Sequence, residues 1–120
     1  MVVGHLNVNF FAVKFDAIKL MIPNNMDIIV FSETKIDASY PTTQFLIPGF
    51  SVPLRADRNA NGGGLLVYVR SDIPCKQLSH HNFSEGIEGI FFEVNFRKSK
   101  WLFLGTHHPP NQKDNFILMS

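Results

Sequence analysis

The chain has 120 residues, 45% of them apolar and 18% charged, which allows one hydrophobic core and excludes a disordered or disulfide-stapled protein. Eleven basic and ten acidic side chains leave a net charge of +1, so no global field favours nucleic acid or an anionic membrane. The single cysteine, Cys75, excludes an internal disulfide, and no apolar run approaches the roughly 20 residues of a membrane span. We therefore expect one nuclear or cytoplasmic domain with no membrane contact.

The first 34 residues predict a strand, a helix and a second strand. Residues 2–8 form a short apolar run that predicts a buried strand with Asn7 at its end. Apolar residues then recur at helical spacing until Pro23 stops the pattern; they are Phe11, Phe15, Ile18 and Ile22. Asn9 is the better candidate for the helix cap, which leaves Asn7 available for a site.

The second strand is predicted from the β-branched run at residues 27–31, which closes with Ser32-Glu33-Thr34. Parallel pairing through a right-handed crossover is expected for two such strands, so their carboxyl ends lie at one edge of the sheet. We therefore expect Asn7 and Glu33 to meet at that edge.

The second half of the sequence predicts a β-meander, because short apolar runs alternate with turn signals and no helical stripe occurs from residue 41 to 113. One strand is predicted to end near Leu54, and a second is predicted at residues 65–69. Residues 90–96 and 101–104 are predicted to form a hairpin. Between the first two, Gly62-Gly63-Gly64 permits a tight turn. His80 and His81 are predicted in a loop, and residues 111–120 are predicted to begin a second helix.

Glu33 and Asn7 are the residues best suited to chemistry. A carboxylate held at the end of a buried parallel strand is a good ligand for a hard cation such as Mg²⁺. The alternative reading is structural, since a polar residue at a strand end commonly caps a loop or faces solvent. Position alone therefore gives a weak bias toward a site.

A series of short motifs runs in order along nearly the whole chain. The N-terminal motifs are Leu6-Asn7-Val8-Asn9, Lys14-Phe15-Asp16, and residues 27–34. The later ones are Ile47-Pro48-Gly49-Phe50, Asp57-Arg58, Gly62-Gly63-Gly64-Leu65, Tyr68-Val69-Arg70, Asp72-Ile73-Pro74, Ile87-Glu88 and Pro109-Pro110-Asn111. In this order and spacing they resemble the endonuclease/exonuclease/phosphatase superfamily, most closely the endonuclease domain of non-LTR retrotransposons.

This resemblance implies a role for each strand-end residue. Glu33 stands at the position of the family's Mg²⁺-binding (or Mn²⁺-binding) glutamate, and Asn7 at that of the asparagine near the scissile phosphate and its metal. The implied reaction is in-line attack of water on a DNA phosphodiester, and the implied partner is DNA. Arg55 and Arg58, before the glycines, and Asn111 are the predicted DNA contacts.

His107 departs from the family pattern, which has tyrosine and then arginine just before Pro109. His107 is a catalytic candidate if it replaces the tyrosine as a hydrogen-bond donor. The alternative is that the histidine results from relaxed selection on a retrotransposon that is losing its function. A zinc site formed with His108 is disfavoured, because neighbours on a strand point to opposite faces.

The resemblance also implies the fold class, an α/β (α+β) sandwich. Residues 1–120 are expected to form the N-terminal half of a four-layer αββα sandwich, with a mixed sheet of about six strands, one full helix and one uncovered inner sheet face. The family's later Asp-x-Asn segment and terminal Ser-Asp-His fall outside the matched pattern. We therefore expect a fragment of a Mg²⁺-dependent endonuclease, inactive in isolation, whose partner is the rest of a reverse-transcriptase polyprotein. The alternatives are a family phosphatase or phosphodiesterase, and a non-catalytic remnant that binds DNA or protein.

Overall fold

The computed structural model describes residues 1–58, 62–82, 88–107 and 115–119; for residues 79–82, 88, 106, 107 and 115–119 the description covers the backbone alone. The elements in chain order are β1 (Val3–Asn7), α1 (Phe11–Met21), β2 (Ile28–Ser32), a 3-10 helix (Thr42–Phe45), β3 (Leu54–Ala56), β4 (Leu65–Val69), β5 (Cys75–Asn82), β6 (Glu88–Phe96), β7 (Ser99–His107) and β8 (Asn115–Met119). The fold is α+β, as expected. Within these ranges, no helix has the length and apolarity needed to cross a membrane.

The first sheet is mixed and has the strand order β1-β2-β4-β3. β1 and β2 are parallel, with Asn7 opposite Ser32, whereas β4 is antiparallel to both β2 and β3. The predicted strand, helix and parallel strand are therefore confirmed. The strand predicted to end near Leu54 instead begins there, because Pro53 cannot donate a backbone hydrogen bond to the sheet.

The second sheet is an antiparallel meander with the order β5-β6-β7-β8. The predicted hairpin is confirmed as β6 and β7, but the expectation of about six strands in one sheet is wrong, because the described residues form eight strands in two sheets. His80 and His81 lie in β5 rather than in a loop. The end of the chain pairs with β7 as β8 rather than starting a helix, since sheet pairing satisfies its backbone groups.

Two hydrophobic cores lie on opposite faces of the first sheet. On one face, α1 packs against β2 and β4 through residues that include Phe11, Phe31 and Tyr68. On the other face, Val30 and Val67 pack against residues of β6 and β7 in the second sheet. The result is three layers, namely helix, sheet and sheet. The prediction that one inner sheet face is uncovered is therefore wrong, because the second sheet covers the inner face of the first sheet.

Strand β1 lies at the edge of the first sheet and is not buried, contrary to the prediction. In the described part of the chain it pairs with β2 alone, and Leu6 remains 49% exposed. Beside it, an apolar groove of about 270 Å³ runs between β1 and α1, and Leu6 and Met21 contribute to its wall. Exposed apolar edge strands favour self-association, because their unpaired backbone groups can accept a further strand.

We predict that Leu6→Lys raises the monomer fraction measured by size-exclusion chromatography, because a charge on an edge strand opposes further pairing. The free energy of unfolding should change by no more than about 0.5 kcal/mol, since Leu6 is half exposed. Val13→Lys is the control, because Val13 is an exposed apolar residue on α1. An equal gain in both variants would show that net charge, rather than the edge strand, governs association.

Candidate functional site

Asn7 and Glu33 lie at the same edge of the first sheet. Asn7 is the last residue of β1 and is aligned with Ser32, the last residue of β2, so Glu33 follows directly at the carboxyl end of the parallel pair. Asn7 is exposed and Glu33 is half-buried. The structure therefore brings an amide and a carboxylate to one solvent-accessible edge.

The turn after β1 is bonded to the turn after β2. The amides of Val8, Phe10 and Phe11 donate to the carbonyls of Ser32, Glu33 and Thr34, each at 3.0 Å. Helix α1 consequently begins against the residues that surround Glu33. The N-cap of α1 is Phe10 and has no side-chain cap, so the prediction of Asn9 as the cap is wrong. The amides of Phe10 and Phe11 are satisfied by carbonyls of the turn after β2.

Left-handed backbone conformations cluster in these two turns. Asn9 and Phe10 have φ angles of 44° and 85°, and Glu33 and Lys35 have φ angles of 56° and 52°. Each such residue costs of order 1–3 kcal/mol, and such strain persists where the surrounding structure imposes it, commonly at functional sites. The observed strain thus supports a functional reading of this edge.

The glycine turn forms the third segment of the site. The amide of Lys35 donates to the carbonyl of Gly63 at 2.8 Å, and the amide of Thr34 donates to the carbonyl of Gly64 at 3.4 Å. Both glycines have positive φ angles, 73° and 100°, which other residues adopt at a cost. The turns after β1 and β2 and the turn before β4 therefore meet at Glu33 to Lys35.

Side chains from β1 and α1 hold the same edge. His5 Nε2 lies 3.0 Å from the hydroxyl of Ser32, which is buried beneath the edge. Lys14 donates from Nζ to the carbonyl of Val8 at 2.7 Å, so its ammonium lies beside the residue that follows Asn7. Sequence reasoning did not assign Lys14 to the site. Its signals were its place in the Lys14-Phe15-Asp16 motif and its position off the apolar stripe of α1, and neither of them indicated a role in the site.

The donor atoms at this edge fit a hard divalent cation. Glu33 offers carboxylate oxygens and Asn7 an amide oxygen, the donor types that Mg²⁺ prefers, and Mg²⁺ commonly retains several waters beside one or two protein ligands. In the described ranges, no group of three or more His, Cys, Asp or Glu residues could hold a metal ion. Because Mg²⁺ takes octahedral coordination, a site built on Asn7 and Glu33 would leave positions open for water and substrate.

Two of the other predicted site residues, Arg55 and Arg58, lie in β3 and just after it. The Arg55 guanidinium binds Asp57, the carbonyls of Tyr40 and Asp37, and the hydroxyl of Thr42. A DNA contact by Arg55 stays a prediction, and it would require the guanidinium to share its donors between DNA and these partners. Arg58 is exposed.

The two remaining predicted residues belong to the C-terminal part. His107 ends β7, with its backbone paired to Glu88, and its side chain is outside the described part. Asn111 lies outside the described residues. Their predicted roles remain predictions.

Comparison with known proteins adds no family assignment. No model of a known protein family matches the chain, and no curated protein matches it significantly. The geometry of the Asn7–Glu33 edge and the sequence resemblance are therefore the features that point to a function.

Proposed function

We propose that the Asn7–Glu33 edge is a Mg²⁺-binding and phosphodiester-binding site of the endonuclease/exonuclease/phosphatase type, closest to retrotransposon endonucleases, with DNA as its partner. The observation that carries this proposal is the parallel register of β1 and β2. It aligns Asn7 with Ser32 and so brings the amide and the Glu33 carboxylate to one edge. Their strained turns support a function for that edge.

Each residue has a distinct role in the proposed site. Glu33 holds the metal ion with help from the Asn7 oxygen, and the Asn7 amide N–H can also donate to a phosphate oxygen. Lys14, already bonded to the Val8 carbonyl, supplies a positive charge for the DNA backbone. A bound Mg²⁺ would supply neutralisation of the charge that develops on the phosphate and on the departing 3′ oxygen.

We also propose that these 120 residues bind metal without cleaving DNA. Water attack needs a positioned base, and the Asp-x-Asn and Ser-Asp-His segments of the family lie outside the pattern matched here. The three layers observed support the finer proposal that this is the αββ part of a four-layer αββα sandwich. The rest of a reverse-transcriptase polyprotein is then the proposed covalent partner.

We expect no nicking of supercoiled plasmid DNA by the wild-type chain in Mg²⁺, and we expect weak Mn²⁺ binding that Glu33→Ala abolishes. Mn²⁺ binding is measured by the loss of its free paramagnetic resonance signal. Glu93→Ala is the matched control, because Glu93 is a half-buried glutamate that pairs with Lys100 on the second sheet.

Two results would contradict these proposals. Nicking by the wild type and by Glu93→Ala, but not by Glu33→Ala, would show that the chain is an active nuclease. Equal Mn²⁺ binding by the two glutamate variants would place any metal away from Glu33 and would refute the site.

A further inference from the structure

We propose that Gly64 is a positioning residue of this site, because its contact with Thr34 sets the orientation of the Glu33 carboxylate. This inference rests on the proposed function, in which Glu33 is the metal ligand. It assigns a role to the last glycine of the Gly62-Gly63-Gly64 turn, about 30 residues from Glu33 in sequence and bonded to the residue next to it.

The backbone of the glycine turn holds the two residues after Glu33. Gly63 accepts a hydrogen bond from the Lys35 amide at 2.8 Å, and Gly64 accepts a longer one from the Thr34 amide at 3.4 Å. Glu33 and Lys35, on either side of Thr34, both have left-handed φ angles. Since such angles are unfavourable for these residues, the bonds on Thr34 and Lys35 help to impose them.

Thr34 leaves no space for a side chain at position 64. A Cβ atom built on Gly64 would overlap the Thr34 hydroxyl oxygen and lie 3.5 Å from the Thr34 Cβ. The Thr34 side chain is fully buried, and its hydroxyl has no hydrogen-bond partner among the described residues. Thr34 therefore cannot turn outward to relieve the overlap without displacing its surroundings.

An alanine at position 64 must consequently move Thr34, and Thr34 is covalently next to Glu33. A shift of one peptide unit moves the carboxylate relative to Asn7, and residues that orient a ligand typically change metal affinity about 10–100-fold when mutated. Gly64→Ala is thus expected to weaken Mn²⁺ binding by at least about 10-fold. Amide hydrogen exchange at Lys35 should accelerate, because its bond to Gly63 is displaced.

The matched control is Gly49→Ala. Gly49 also has a left-handed backbone, with φ of 89° against 100° for Gly64, but nothing lies within 4 Å of a Cβ built on it. The two variants therefore share the backbone cost and differ in the contact with Thr34. Gly49→Ala should retain wild-type Mn²⁺ affinity and wild-type exchange at Lys35.

The double variant Thr34→Ala/Gly64→Ala tests the contact itself, because without the threonine hydroxyl the nearest Thr34 atom is at an ordinary contact distance. Its Mn²⁺ affinity and Lys35 exchange should return to those of Thr34→Ala alone. If Gly64→Ala fails to fold, recovery of folding in the double variant supports the inference. Failure of both to fold overturns it, because backbone strain would then explain the loss.

Outcomes for the inference and for the proposed function are distinguishable. If the wild type binds Mn²⁺ and Gly64→Ala binds it with the same affinity, the inference is overturned and Glu33 remains the proposed ligand. Absence of Mn²⁺ binding in the wild type overturns the proposed function and, with it, the role of Gly64. Lys35 exchange would then report whether the Gly64–Thr34 contact holds this turn for a purely structural reason.

Discussion

Phe11→Ala is expected to lower the free energy of unfolding by about 3–5 kcal/mol, the range for removing a large aromatic side chain from a core. Phe11 is completely buried at the start of α1. Its ring lies 5.1–6.2 Å, centroid to centroid, from those of Phe15, Phe31, Phe45 and Tyr68. The substitution therefore leaves a cavity where the helix, the first sheet and the 3-10 helix meet.

Urea denaturation followed by circular dichroism measures this loss. Val13→Ala is the control, since Val13 lies on the same helix and is 78% exposed, and its substitution should change stability by no more than about 0.5 kcal/mol. Comparable losses in the two variants would contradict the packing of α1 on the first sheet.

Arg55→Ala is expected to lower the free energy of unfolding by about 3 kcal/mol, because several acceptors lose their partner at once. The guanidinium donates to the carbonyl of Tyr40 at 2.6 Å and to that of Asp37 at 2.5 Å, and it pairs with Asp57 at 2.8 Å. The side chains of Arg55 and Asp57 are 14% and 23% exposed, so water replaces these bonds incompletely. Arg55 thus joins β3 to the segment before the 3-10 helix.

Arg55→Lys is the informative companion variant. Lysine keeps the charge but lacks the planar fork that reaches several acceptors together, so most of the loss should remain. Full stability in Arg55→Lys would show that charge alone matters. The pKa of Asp37 is lowered mainly by hydrogen bonds from Ser39, with Arg55 the smallest contributor, so that pKa should stay lowered in both variants.

The local elements of the N-terminal half were predictable because their signals are local. The apolar stripe from Phe11 to Ile18 follows the period of a helix, and residues 28–31 are apolar, mostly β-branched and bounded by the polar residues Asp27 and Ser32. A strand, a helix and a second strand of this length allow few arrangements, and the parallel pairing of β1 and β2 followed from the helical crossover between them. That pairing also placed Asn7 and Glu33 at one edge.

Burial and sheet membership were decided by tertiary neighbours that the sequence does not name. The apolar run of residues 2–8 predicted a buried strand, yet β1 has β2 as its partner in the described residues and remains exposed. Residues 115–119 suit either a helix or a strand, and pairing with β7 decides for the strand. Likewise, β2 and β4 present apolar side chains on both faces of the first sheet, so both faces need cover. The helix covers one face, and the second sheet covers the other.

Sequence by itself determined which polar residues end the first two strands of this protein and on which edge they lie, since period and handedness act along the chain. Tertiary structure alone decided how that edge is held. Carbonyls of Glu33 and Thr34, rather than Asn9, satisfy the first amides of α1, and Gly64 packs against Thr34. These contacts join residues 23 to 30 positions apart, so they depend on the assembled sheet and leave no periodic signal in the sequence.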